Sequence, residues 1–93
     1  MYCQRDDLNS GAYNLALKQS DIQSITLSNG SGLNPECTYH YGNTYEPTTG
    51  DVKLPTSGNI PLNNSYQYVI FRLHNKNGTS SELPYIEINV TYK

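Results

Sequence analysis

The sequence predicts an all-β domain: a small antiparallel β-sandwich, or a partly open barrel, of about six to seven short strands, Ig-like or jelly-roll-like in arrangement. Three observations predict it. Apolar and polar residues alternate with a period of two in several segments, most cleanly over about the last thirty positions. Clusters of Asn, Gly, Pro and Ser punctuate the chain about every eight to twelve residues. Leu, Ile, Val and Phe supply only 19 of 93 residues, whereas tyrosine alone supplies 9. A thin core must then be completed by rings that are apolar on their faces and polar at one tip. This length accommodates one core, so residues 1–93 are read as a single domain.

The elements follow in order. Residues 1–11 are polar and turn-like, with Asp6-Asp7, Asn9-Ser10 and Gly11. Tyr13, Leu15 and Leu17 alternate with Asn14, Ala16 and Lys18, which favours a half-buried strand over a competing helical face. From Asp21 to Ser28, Ile25 and Leu27 share one face and Ile22 falls on the other. Asn29-Gly30-Ser31-Gly32 is the strongest turn signal, and Asn34-Pro35 is a second. Cys37, Tyr39 and Tyr41 then alternate with Thr38 and His40. Between Gly42 and Gly58 only Val52-Lys53-Leu54 reads as a strand; with Pro55 and Pro61 nearby, any strand there is short or at an edge.

The second half is plainer. A strand over Tyr66–His74 points Val69, Phe71 and Leu73 one way and Tyr66, Tyr68, Ile70, Arg72 and His74 the other. Apolar residues on both faces mark it as central. After a loop containing Asn77-Gly78, the last strand turns Ile86, Ile88, Val90 and Tyr92 inward. These two strands are expected to pair as an antiparallel hairpin.

Composition restricts function. The net charge is −2, charged residues make up 15%, and the six Lys and Arg are scattered singly. Duplex nucleic acid needs a basic stripe, so it is not an expected partner. No stretch approaches 18 consecutive apolar residues, so no membrane span is expected. Tyr2, Cys3, Gln4 and Arg5 follow Met1 without a basic region and apolar run, so either a leader was removed or none was used.

Cys3 and Cys37 are the two cysteines, and the expectation is a disulfide closing a loop of about 35 residues, worth roughly 3–4 kcal/mol. The alternative is two reduced thiols. His40 and His74 lack metal-ligand spacing to either cysteine and read as solvated strand residues, so neither a metal nor a cofactor is expected. No nucleophile elbow, phosphate loop or calcium loop is present, and the carboxylates fall mostly in loops. An enzyme is not expected. Asn-x-Ser/Thr triplets at Asn29, Asn63, Asn77 and Asn89 reflect composition.

Binding has a better basis. Tyr39, Tyr41, Tyr45, Tyr66 and Tyr68 are candidates for an aromatic patch, against the competing reading that they complete a leucine-poor core. The four retained as binding candidates are Tyr39, Tyr41, Tyr66 and Tyr68. Low charge, neutral polar surface and short strands point to a non-enzymatic structural or interaction module on an extracellular or viral assembly, such as a capsid decoration, tail, fibre or filament component. Its partners would be other protein subunits, copies of itself or a scaffold. The alternative is a secreted or periplasmic carbohydrate-binding domain that stacks glycans on tyrosine rings.

Overall fold

The computed structural model describes residues 2–3, 12–44, 52–74 and 84–93. Two four-stranded antiparallel sheets stack face to face. The strands are β1 (Tyr2–Cys3), β2 (Ala12–Lys18), β3 (Ile22–Ser31), β4 (Thr38–Gly42), β5 (Val52–Lys53), β6 (Gly58–Ile60), β7 (Tyr68–His74) and β8 (Tyr85–Tyr92). A single 3-10 turn, Gln19–Asp21, links β2 to β3. Sheet one has the order β1-β8-β3-β6 and sheet two the order β2-β7-β4-β5. The first strand thus pairs with the last, the second with the seventh, the third with the sixth and the fourth with the fifth. A long hairpin rolled up in this way, with its pairs alternating between sheets, is a jelly roll. Of the two sandwich arrangements expected, the strand order selects this one.

The core is the space between the sheets. Sheet one contributes Ile22, Ile25, Leu27, Ile60, Ile86 and Ile88, and sheet two contributes Val69, Phe71, Leu73 and Tyr41, all buried. Tyr13, Leu15, Leu17, Tyr39 and Tyr66 pack against this cluster from its margin. As the period of two requires, the inward residues of β2 and β7 come from alternate positions. β7 is central, between β2 and β4, and its Ile70 is fully buried on the face turned away from the core.

The expected hairpin of the last two strands does not form. β7 pairs with β2 and β4 in sheet two, whereas β8 pairs with β1 and β3 in sheet one. Alternation states which face of a strand is buried and leaves its lateral neighbour open. Here Val69 and Phe71 face Ile86 and Ile88 across the core instead of lying beside them. The connecting loop, with Asn77-Gly78, lies outside the described residues, as do residues 4–11 and Tyr45.

Two bulges in β3 account for two further departures. Ile22 pairs with Tyr92 but Ser24 pairs with Thr91, so β3 spends an extra residue there. That extra residue inverts the alternation, which brings Ile22 onto the same buried face as Ile25 and Leu27. A second shift between Ser28 and Ser31 falls on the Asn29-Gly30 signal. Asn29 adopts φ 56°, the left-handed region that asparagine tolerates. The segment bends the strand without reversing the chain. Tyr92, expected inward, is 58% exposed; it is the last residue of β8, beyond the stretch of the strand that covers the core. Strands β1 and β6 bring the total among the described residues to eight, and as two- and three-residue edge strands they carry too little pattern to be read. The Asn34-Pro35 turn is as expected: Asn34 Oδ1 accepts from the Glu36 amide at 2.9 Å, an Asx turn.

Candidate functional site

The tyrosines divide between two faces. Tyr39, Tyr41 and Tyr66 belong to the core margin. The rings of Tyr41 and Tyr66 stack at 6.4 Å and 24°, and Tyr39 meets Tyr41 edge-on at 6.2 Å and Phe71 at 6.3 Å. Tyr41 is buried and its hydroxyl donates to the carbonyl of Pro61. Tyr68 stands on the opposite side of sheet two, in register with Lys18 and Gly42. The four candidates therefore form no single patch. Three complete the core, because nineteen aliphatic and Phe residues cannot fill the space between two sheets.

Burial raises the pKa of the Tyr41 phenol, and the neighbouring Tyr39 raises it further. The unfolded chain, with an ordinary tyrosine pKa of about 10, ionises before the folded one does. The stability held by the neutral phenol is therefore intact below pH about 10 and is lost as pH rises above it, because the unfolded state then binds fewer protons. Tyr41→Phe should flatten this alkaline slope in chemical denaturation and, by deleting the bond to Pro61, lower stability at neutral pH by about 1 kcal/mol.

The tyrosine pattern left a cleft on the outer face of sheet two unread. In register across that face stand Asn14, Arg72, Thr38 and Lys53, with Thr38 opposite both Arg72 and Lys53. Directly opposed residues of antiparallel strands hold their Cβ atoms about 5 Å apart. Pro35 and Glu36, carried by the Asx turn, wall one side of the resulting cleft of about 510 Å³. Glu36 also contacts His74 Nδ1. The turn is fastened from below: Asn34 Nδ2 donates to the His74 carbonyl at 2.6 Å and the Cys37 thiol lies 3.7 Å from the same oxygen. Thr38 is 5% exposed, yet its Oγ1 has no hydrogen-bond partner, and neither does the buried Nε of Arg72. Unpartnered buried polar atoms cost about 1–3 kcal/mol each, so two side by side call for an explanation.

A second cleft of about 300 Å³ lies at one end of the sandwich, lined by Lys18, Asn43, Asn64, Ser65, Tyr66 and Gln67 among others. Its floor is fixed by Gln19, which is buried. Gln19 Nε2 donates to the carbonyls of Asn63 and Tyr66 at 2.8 and 3.0 Å, and its Oε1 accepts from the Asn63 amide at 2.8 Å.

The outer face of sheet one is of a third kind. Thr26 Oγ1 donates to Asn59 Oδ1 at 3.0 Å, and Asn89 Nδ2 donates to the Thr26 carbonyl and to Ser28 Oγ. The Glu87 carboxylate accepts from Ser28, Asn29 and Tyr85. The result is a nearly uncharged sheet of side chains held in place by one another.

Cys37, expected to bridge Cys3, carries a free and fully buried thiol. The Cys3 side chain lies outside the described residues. His40, read as solvated, is 2% exposed on the outer face of β4, opposite the equally buried Ile70. Among the described residues no group of three or more His, Cys, Asp or Glu could hold a metal ion. Among them, too, no helix is long and apolar enough to cross a membrane. Compared with known protein families, curated proteins and solved structures, the chain matches none.

Proposed function

We propose that this domain is a non-enzymatic interaction module of an extracellular or viral assembly and that the outer face of sheet one is its contact surface toward another subunit. The observation that carries this reading is the ordered array around Thr26, Ser28, Glu87 and Asn89. Association costs rotamer entropy for each side chain it immobilises, and side chains already held by their neighbours lose little. The Glu87 carboxylate on this face, itself satisfied by three donors, also sheds little charge hydration on docking. Jelly rolls build viral capsid and lectin domains, which agrees with the reading but only by analogy of fold. The expected result is concentration-dependent association in sedimentation velocity, abolished by Asn89→Arg, whose side chain is exposed and whose replacement leaves the core untouched. A protein that stays monomeric at high concentration and binds no particle from its source would refute the proposal.

A second reading has its own observation. The end cleft combines a half-buried aromatic ring, Tyr66, with the amides of Asn43, Asn64 and Gln67. A ring face with converging amide groups suits a neutral sugar. A glycan array tests it, with Asn64→Ala as the variant of choice because Tyr66 also packs on the core. Loss of a glycan signal in that variant would favour this reading over the first.

A further inference from the structure

We infer that the cleft on the outer face of sheet two is a carboxylate-binding site in which Arg72, Thr38 and Lys53 hold the anion. The strand register sets these three side by side in one row. Two of them are cations and the third is a hydroxyl that is nine-tenths buried and unused. The free Nε of Arg72 matters most. A guanidinium grips a carboxylate through two parallel N–H donors, and here Nε, buried in the cleft wall, has no hydrogen-bond partner. Thr38 Oγ1, also without a partner, can donate a third hydrogen bond to the same group. Lys53, on the exposed edge strand β5, supplies charge at the rim. Glu36 on the opposite wall sets the valence. It opposes a second negative charge, so a singly charged carboxylate fits where a phosphate or sulfate dianion is repelled.

The source of the carboxylate is an acidic side chain of a polypeptide or a sugar acid, which share this chemistry. The experiment is a titration followed by amide and arginine Nε–H nuclear magnetic resonance, with sodium acetate as probe and sodium chloride at matched ionic strength as reference. The expected result is a saturable shift of the Arg72 Nε–H and Thr38 amide signals with a dissociation constant in the millimolar range, as suits so small a ligand. Arg72→Lys, which keeps the charge but loses the fork, should weaken binding at least about tenfold. Thr38→Val should weaken it several-fold without lowering the melting temperature, since the hydroxyl supports nothing in the fold. A purely structural threonine would give the opposite pattern, a lower melting temperature and unchanged acetate binding. Shifts that do not saturate, that chloride reproduces, or that keep the parent's affinity at the Thr38 amide in Arg72→Lys would overturn the site. Sulfate binding more tightly than acetate would overturn its assignment to carboxylates. Separate titrations with N-acetylglutamate α-methylamide and with glucuronate distinguish the sources, the tighter ligand naming the one in use.

Discussion

Gly30→Ala should lower the melting temperature by roughly 10–20 °C, although the change adds one methyl group. A Cβ at position 30 would lie 2.7 Å from Thr56 Cα, 2.9 Å from Ile86 Cδ1 and 3.0 Å from the Thr56 carbonyl oxygen. The Ile86 methyl can rotate away, but the Thr56 backbone cannot move freely. Gly30 N–H donates to the Thr56 carbonyl at 3.0 Å, so any retreat that relieves the clash breaks that bond. Overpacking costs about 1–3 kcal/mol and the hydrogen bond about 1 more, for a total of about 2–4 kcal/mol. In a domain of this size each kcal/mol moves the midpoint by about 4–8 °C, and the whole stability is only about 5–14 kcal/mol. Thermal unfolding followed by circular dichroism measures the effect. Ser31→Ala, one residue on and exposed, is the control and should stay within about 0.5 kcal/mol of the parent. A Gly30→Ala midpoint close to that of the control would mean that β3 and the Thr56 segment do not approach as closely as described.

The same glycine shows how far the sequence could be read. Asn29-Gly30 announces a residue with positive φ next to one without a side chain, which is equally the signature of a tight turn and of a bulge that bends a continuing strand. Only the register with β8 separates the two, and register is a property of pairs. Residue-level facts were legible: the alternation at Val69–Leu73 and at Ile86–Ile88 gives both buried faces correctly. The pairing of β7 with β2 and of β8 with β3 was not, because strands that meet only after the chain has rolled up carry no mutual mark. The cleft was illegible for the same reason. Arg72, Thr38 and Lys53 are far apart along the chain and adjacent only through the ladders of β4 with β7 and β5. Tyrosine, by contrast, was conspicuous in composition; of the candidate rings Tyr41 lies in the core, and Tyr39 and Tyr66 pack against its margin.

Gln19→Leu should destabilise the domain by about 2–4 kcal/mol, an effect of the size expected for a core truncation, from a residue that is polar. Gln19 is 2% exposed and lies in the 3-10 turn between β2 and β3, where no apolar pattern selects it. Its amide ties the 63–66 turn to the β2–β3 link: the NH₂ group donates to two carbonyls and the oxygen accepts one N–H. Leucine matches the shape but leaves three backbone groups facing a methyl surface, each unmade bond costing about 1–3 kcal/mol where water cannot substitute. Because those groups lie only partly buried, the sum stays at the lower end of that range. Gln19→Glu separates hydrogen bonding from shape. It keeps the length and the acceptor but turns a carboxylate toward the carbonyls of Asn63 and Tyr66, so that burial and carbonyl repulsion favour its protonated form. Its folded pKa then lies above the unfolded value of about 4.3. Stability in this variant is therefore greatest below that pH and declines as pH rises through the folded pKa, a slope absent from Gln19→Leu. Urea denaturation of both variants between pH 4 and 8 measures it. Equal and flat losses in the two would mean that Gln19 acts as a filler of space, and the end cleft, with Tyr66 on its wall, would lose the clamp that gives it a defined shape.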